Sequence, residues 1–198
     1  MSTVIADMSM SLDGFIADPD DAVGPLFDWF ENGPVAFEWP GIEGAAHVTE
    51  ASAGHLRRIL VEVGALVCGR RLYDHTNGWN GSHPAGVLVF VVSHTAPDTS
   101  PQGTTPLTFV TDGVESAIAR AGEVAGDRAV VVASASIAQQ CLDLGLLDVI
   151  QVSLAPVLLG EGIPWFGNLR HHPVMLENPE VIQGDRVTHL YYRVIKSR

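Results

Sequence analysis

The chain has 198 residues, of which 46% are apolar and 17% are charged, and this composition excludes a largely disordered protein. Acidic residues outnumber basic ones 23 to 11, so the formal net charge is -12, and the first basic residue is Arg57. Such acidity argues against nucleic acid or an anionic membrane as a partner, because both require a positively charged surface. The length fits a single domain over residues 1–198.

The cysteines, the histidines and the lengths of the apolar runs narrow the class of protein further. Cys68 and Cys141 lie in apolar surroundings and are expected to be buried thiols, not a disulfide framework. No basic segment precedes an apolar run at the N-terminus, and no stretch approaches the ~20 apolar residues of a membrane span. No histidine pair has metal-ligand spacing on a predicted helix, so no metal is expected. We expect a soluble, cytoplasmic protein.

The N-terminal part of the chain combines one strand with a long irregular segment. Apolar residues alternate over residues 3–12, and this pattern predicts a strand. Residues 13–48 have no period, and Asp, Gly and Pro recur among scattered aromatic residues, so a long aromatic-containing loop region is expected. Its aromatic residues are expected to line a pocket, cover the core or form a dimer contact. A helix follows over residues 50–63, with Thr49 as its cap.

From residue 65 onward, strands and helices alternate. The predicted elements are a strand at 65–68, a helix at 70–75, strands at 87–92 and 108–110, a helix at 112–124, a strand at 129–132, a helix at 136–144, and strands at 148–159 and 186–195. Asp112 and Glu115 form a capping-box pattern at the start of the third helix. Repeated strand–helix–strand units predict an α/β fold, with a mostly parallel central sheet, helices on both faces and an antiparallel C-terminal finish.

Three strand ends carry residues that suit a phosphate group. Gly69 permits close approach of an anion to the backbone, and Arg70 and Arg71 supply forked donors. The next strand ends at Ser93-His94, and small residues at 133–136 lead into a later helix. In open α/β sheets, ligands bind beyond the carboxyl ends of strands, where helix N-termini present free amides. The three junctions together predict a dinucleotide or another phosphate-bearing small molecule.

The same segments resemble a known family. The motifs are Ser11-Leu12-Asp13-Gly14-Phe15-Ile16-Ala17, Gly69-Arg70-Arg71-Leu72-Tyr73-Asp74, Val91-Val92-Ser93-His94, Ile137-Ala138-Gln139-Gln140-Cys141-Leu142, Gly145-Leu146-Leu147-Asp148 and Pro156-Val157-Leu158-Leu159-Gly160-Glu161-Gly162. They resemble the reductase domain at the C-terminus of the bifunctional riboflavin-biosynthesis deaminase–reductase, which shares the dihydrofolate reductase fold. The resemblance implies a stand-alone reductase that uses NADPH (NADP) on a small heterocyclic or carbonyl substrate, and a homodimer.

The resemblance also implies roles for individual residues. Cofactor contacts are implied for Gly14, Phe15, Ile16, Gly69, Arg70, Arg71, Leu72, Ser93, His94, Ala133, Ser134, Ala135, Ser136, Ile137 and Gly160, and substrate contacts for Trp79, Pro156 and Leu158. Asp13 and Glu161 are the carboxyls expected nearest the nicotinamide and are the candidate catalytic acids. A carboxyl in an apolar pocket has a raised pKa and can donate a proton. The Asp13-Gly14 pair also suits an ordinary turn.

The chain departs from the family pattern at two places. Ala133-Ser134 stands where the family usually has Gly-Gly, and Leu72 stands where a threonine is frequent. Two added side chains at 133–134 are expected to hinder the approach of a pyrophosphate to the backbone, whereas serine hydroxyls offer new donors. Two alternatives to a reductase therefore stay open. One is a catalytically silent nucleotide-binding or sensor module of the same fold, and the other is a dimeric scaffold without a ligand.

Overall fold

A mixed eight-stranded sheet forms the centre of the computed structural model, which describes residues 2–167 and 169–196. The strands are β1 (Val4–Ser11), β2 (Val35–Glu38), β3 (Ala45–Val48), β4 (Val63–Gly69), β5 (Leu88–Val92), β6 (Leu107–Val110), β7 (Ala129–Val132), β8 (Val149–Ala155), β9 (Glu180–Gln183) and β10 (Thr188–Arg193). The helices are α1 (Glu50–Glu62), α2 (Arg70–His75), α3 (Val114–Ala125) and α4 (Ala135–Asp143).

Strand order in the sheet is β6-β5-β4-β7-β1-β8-β10-β9, while β2 and β3 form a separate hairpin. Strands β6, β5, β4, β7, β1 and β8 are parallel to one another, and β10 pairs antiparallel with both β8 and β9. All residues of β4 and β7 are buried, as expected of central strands covered on both faces. The predicted α/β class with an antiparallel finish is confirmed.

The two faces of the sheet are covered by different elements. Helices α3 and α4 pack through Ala117, Ile118 and Ala138 against the side of β1 and β8 that carries Ala6 and Ile150. Helix α1 packs with the β2–β3 hairpin in a separate apolar cluster. None of the helices in the described part of the chain is long and apolar enough to cross a membrane.

Thr49 caps α1 as predicted, since its hydroxyl accepts a hydrogen bond from the amide of Ser52. The predicted capping box of α3 is wrong. Gly113 precedes that helix without a side-chain cap, and the Asp112 carboxylate instead accepts hydrogen bonds from Ser116 and Arg120. Asp112 thus ties two successive turns of the helix surface together.

The long region at 13–48 is more ordered than its sequence suggests. A 3-10 helix spans Gly24–Glu31 and buries Leu26 and Trp29, and the β2–β3 hairpin follows it. Sequence periodicity missed these elements because each is short and because the aromatic residues are spaced by tertiary packing. The edge strand β9 has only four residues, too few for a clear period, and the sequence pattern does not predict it. Both cysteines are free and buried, as predicted.

Candidate functional site

The ends of β4 and β7 meet at the carboxyl edge of the sheet. The amide of Gly69 donates a hydrogen bond to Ser134 Oγ at 2.9 Å, so two of the predicted phosphate junctions are in direct contact. A Cβ atom at Gly69 would lie 3.6 Å from Ile137 Cγ1 and from the hydroxyls of Ser134 and Ser136, which is ordinary contact. This glycine therefore leaves room for a ligand atom at the junction and is not forced by crowding within the protein.

The first turn of α4 presents backbone amides at the same place. The hydrogen-bond ladder of this helix begins with the amide of Ala138, which donates to Ser134 O at 3.0 Å. The amides of residues 135–137 precede that ladder and point out of the helix start, where the helix dipole is positive. Small side chains at Ala135 and Ser136 leave these amides accessible. The geometry fits one phosphate group of a dinucleotide.

Arg70 and Arg71 lie beside this turn, at the start of α2, and each is engaged by a carboxylate. Arg70 Nε is 2.8 Å from Asp74 Oδ1, and Arg71 Nε is 2.8 Å from Asp21 Oδ1. The side chain of Arg71 is 63% exposed, so its pair with Asp21 is a surface salt bridge of small net strength. A phosphate dianion can compete for such a pair, because bidentate contacts with a guanidinium are the stronger ones.

The third junction and its neighbours are more open. Ser93 Oγ donates to Thr95 O at 2.8 Å, and His94 is exposed. Arg70 Nη1 also reaches Thr95 O, at 3.4 Å, so the ends of β4 and β5 are linked. Leu72 packs against the apolar cluster that contains β5, and its side chain serves the core there. The predicted cofactor contacts of these residues stay predictions.

The turns after β1 and β8 are joined by Asp13. Its carboxylate accepts hydrogen bonds from the amide of Gly160 at 2.7 Å, the amide of Leu159 at 3.2 Å and the hydroxyl of Ser11 at 2.6 Å. The Ser11 hydroxyl, with the two amides, lowers the pKa of Asp13 below its ordinary value. The raised pKa expected for this carboxyl is therefore wrong, and Asp13 stays ionised as a latch between two turns.

The other predicted site residues of these two turns lie around Asp13 in the chain. Gly14 has a φ of 93°, which favours glycine, and Phe15 bridges to Pro164 while Ile16 is buried. Glu161 is exposed in the turn that Gly160 opens, and Pro156 and Leu158 are exposed as well. Trp79 makes an edge-to-face contact with His83, at 4.7 Å between ring centroids. The roles implied for these residues stay predictions.

The face of the sheet opposite α3 and α4 carries a set of polar side chains that the sequence analysis did not identify. Side chains alternate along a strand, so the residues of β1 between its apolar positions all point to one face. Cross-strand pairing aligns them with residues of β8 and β10. Two polar rows result, Asp7–Gln151–Tyr191 and Ser9–Ser153–His189. We call these six residues the polar face.

A cavity of about 560 Å³ lies over part of this polar face. Its floor includes Asp7, Ser9 and Ser153, and Ala133 of the α4 junction also lines it. The walls come from α1, the 3-10 helix and the loop between β2 and β3, and include the side chains of Phe27, Trp29, Phe30, Trp39, Leu56 and Ile59. We call this space the aromatic cavity. Its volume falls within the usual range of small-molecule pockets, about 300–1,000 Å³.

Asp7 is the acid on the floor of the aromatic cavity. Burial raises the pKa of its carboxyl from 3.8 to about 7, because the surrounding apolar groups disfavour the charged form. A carboxyl that titrates near neutrality can hold and deliver a proton at physiological pH. Period-two alternation places Asp7 opposite the apolar side of β1, and this is the signal that could have identified it.

Two stacked histidines support the floor beside Asp7. The rings of His55 and His189 lie 3.8 Å apart between centroids, and His189 is hydrogen-bonded to Ser52 and Ser153 at 3.0 Å each. His55 is also hydrogen-bonded to the hydroxyl of Tyr191. Burial lowers the pKa of His55 to about 3 and that of His189 to about 4, so both rings are neutral at pH 7. They position the floor and do not supply charge.

The chain is similar to known proteins over nearly its whole length. The family model of the RibD C-terminal domain matches residues 2–187. A solved protein from Shewanella sp. PV-4, assigned to riboflavin biosynthesis, has 25% sequence identity and a TM-score of 0.70, with 99% of this chain and 100% of that chain covered. No curated protein matches the sequence.

Two further solved structures share the fold. One is a diaminohydroxyphosphoribosylaminopyrimidine deaminase/5-amino-6-(5-phosphoribosylamino)uracil reductase from Thermotoga maritima, with 13% identity, a TM-score of 0.61, and 98% of this chain and 57% of that chain covered. The other is a dihydrofolate reductase from Enterococcus faecalis complexed with NADP(H), with 14% identity and a TM-score of 0.59. The match covers 98% of this chain and 97% of that chain. The dihydrofolate reductase-like fold implied by the sequence motifs is confirmed.

Proposed function

The chain belongs to the RibD C-terminal domain family, and from this premise we propose that it is an NADPH-dependent reductase of a small heterocyclic or carbonyl substrate. The family match and the reductase neighbours support this activity. One observation carries the proposal for this chain. Ala133, the first residue of the small-residue turn before α4, also lines the aromatic cavity. The edge that we propose for phosphate binding, formed by Gly69 and the start of α4, therefore adjoins a substrate-sized cavity, as a reductase requires.

The residues present fit a nicotinamide dinucleotide. The amides at the start of α4 would hold its pyrophosphate, with Arg70 and Arg71 beside it for a further phosphate. The turns joined by Asp13 would border the nicotinamide. When bound, the cofactor supplies the hydride, and the protein contributes position, exclusion of water and a proton.

Asp7 is the proton donor in this proposal. Its carboxyl lies in the aromatic cavity, where the substrate would bind, and its pKa of about 7 keeps a large protonated fraction at neutral pH. Asp13 is engaged as an ionised latch, and Glu161 is exposed outside the cavity lining. The apolar walls would exclude water around Asp7 and so maintain the shifted pKa.

Titration of the purified protein with NADPH, followed by cofactor fluorescence, tests the cofactor part of the proposal. The variant R71A should bind NADPH at least tenfold more weakly than the wild type, since a charge-assisted contact with a phosphate is lost. The matched control is R57A, which removes an exposed arginine of α1 that pairs with Glu50. Failure of the wild type to bind millimolar NADPH would refute the proposed function.

A silent nucleotide-binding module is the second candidate, and one contact favours it. Ser134 Oγ accepts the hydrogen bond of the Gly69 amide, which a phosphate would otherwise receive. The double variant A133G/S134G frees that amide and restores the usual glycine pair. NADPH binding that tightens tenfold or more only in this variant would favour the silent module, whereas tight wild-type binding would favour the reductase. The predicted homodimer and cytoplasmic location stay predictions.

A further inference from the structure

Acidic groups predominate among the titratable residues that line the aromatic cavity. Among its described lining residues there are three acids, Asp7, Glu31 and Glu43, two histidines, and no lysine or arginine. Burial lowers the pKa of His55 to about 3 and that of His83 to about 4, so neither histidine is a cation at neutral pH. The cavity therefore offers a ligand the acid Asp7 on its floor and the exposed carboxylates of Glu31 and Glu43, but no positive charge.

The arginines closest in sequence to the cavity walls are held elsewhere. Arg57 pairs with Glu50 at 2.9 Å, and Arg58 pairs with Glu62 at 3.0 Å, both on α1. Neither arginine lines the cavity, although α1 contributes four other residues to its wall. Arg70 and Arg71 lie at the start of α2, directly after Gly69, and are not among the lining residues of the cavity. The acidic cavity and the basic edge are thus separate surfaces.

We propose that the substrate of the aromatic cavity is a planar aromatic molecule that is uncharged or cationic and carries no phosphate group. This inference rests on the proposed function, since it assigns the cavity to the substrate of that reductase. A phosphate dianion placed here would lose its hydration without gaining a cationic partner, and it would be repelled by the carboxylates.

The walls explain the preference for a planar ring. The rings of Trp29 and Phe30 stack at 3.9 Å between centroids, and those of Phe30 and Trp39 lie 5.9 Å apart. All three rings line the aromatic cavity, with Trp29 buried and Phe30 and Trp39 partly exposed. Aromatic faces attract flat apolar rings and also cations, but not anions, because their faces carry partial negative charge.

Three bicyclic probes of similar shape and different charge test the proposal by calorimetry at pH 8 with the full-length protein. They are 2-naphthol, 2-naphthamidine and 2-naphthyl phosphate. We expect the neutral and cationic probes to bind and the phosphate to bind at least tenfold more weakly than 2-naphthol. The variant D7N should reduce the preference for 2-naphthamidine, while D20N, an exposed loop acid, should leave the order of affinities unchanged.

Equal or tighter binding of 2-naphthyl phosphate would overturn the inference, and so would the absence of binding by all three probes. NADPH titration of the same preparation separates this result from the proposed function. Normal NADPH binding with a reversed probe order refutes only the substrate class. The expected probe order without NADPH binding refutes the reductase and leaves a pocket for uncharged or cationic aromatic ligands.

Discussion

Replacing Asp7 with asparagine tests both the shifted carboxyl and its proposed use. The folded protein holds a proton on Asp7 up to about pH 7, whereas the unfolded chain releases it near the ordinary pKa of 3.8. Folding therefore becomes less favourable as the pH rises from about 4 to 7, and the loss is complete above pH 7. Asparagine has a similar shape and no charge, so the variant avoids this loss.

The size of the effect follows from the two pKa values. Each pH unit between them is worth about 1.4 kcal/mol, so D7N should be more stable than the wild type by up to about 4 kcal/mol above pH 7, less whatever solvent in the cavity relieves. The gap should be smallest near pH 4, where the folded state holds the proton and the unfolded chain is still about half protonated. Urea unfolding followed by tryptophan fluorescence at pH 4, 5.5, 7 and 8.5 measures it. His55 and His189 titrate in both proteins and cancel in the difference.

The control is D20N, which neutralises an exposed acid in the loop after β1 and should give no comparable pH-dependent gap. A gap between D7N and the wild type that is constant from pH 4 to 8.5 would refute the shifted pKa of Asp7. If D7N gains stability as expected but retains full reductase activity with unchanged pH dependence, then Asp7 is a buried acid without a catalytic role. The stability result and the activity result thus test separate steps.

Three other changes have defined outcomes. Gly162→Ala should destabilise the fold by about 1–3 kcal/mol in urea unfolding, because the new Cβ would lie 2.1 Å from Ala17 O. Asp13→Ala should speed amide hydrogen exchange at Gly160 in mass spectrometry, and unchanged exchange would argue against the latch. The His55 ring is neutral when buried, so acid below pH 6.5 favours its unfolded form. Between pH 6 and 4, the free energy of unfolding of the wild type should therefore fall by about 1.4 kcal/mol per pH unit relative to that of His55→Gln. An equal pH dependence of the two proteins in urea unfolding would contradict this.

Regular elements with a strong period were predictable from the sequence, and elements shaped by distant contacts were not. Helix α1 and the parallel strands follow from apolar spacing, and the Thr49 cap follows from a local hydrogen bond. The capping box of α3 failed because the helix begins one residue later than the pattern requires. Gly113 is its N-cap, so Asp112 lies before the helix and accepts hydrogen bonds from Ser116 and Arg120. The 3-10 helix at Gly24–Glu31 has no repeat of its own, and its position depends on the burial of Trp29.

The candidate site divides in the same way. The junction of Gly69 with the residues before α4 was predictable because strand ends and helix starts are adjacent in sequence and could be recognised locally. The aromatic cavity was not, because its floor joins Asp7 to residues more than 140 positions away through β-sheet register. In the sequence alone, Asp7 is one of ten acids that precede Arg57. Alternation along β1 places Asp7 on the polar side of the strand, and the pairing of β1 with β8, and of β8 with β10, then separates this partly buried acid from the surface charge around it. The acidity that argued against nucleic acid therefore includes one carboxyl that lines the aromatic cavity.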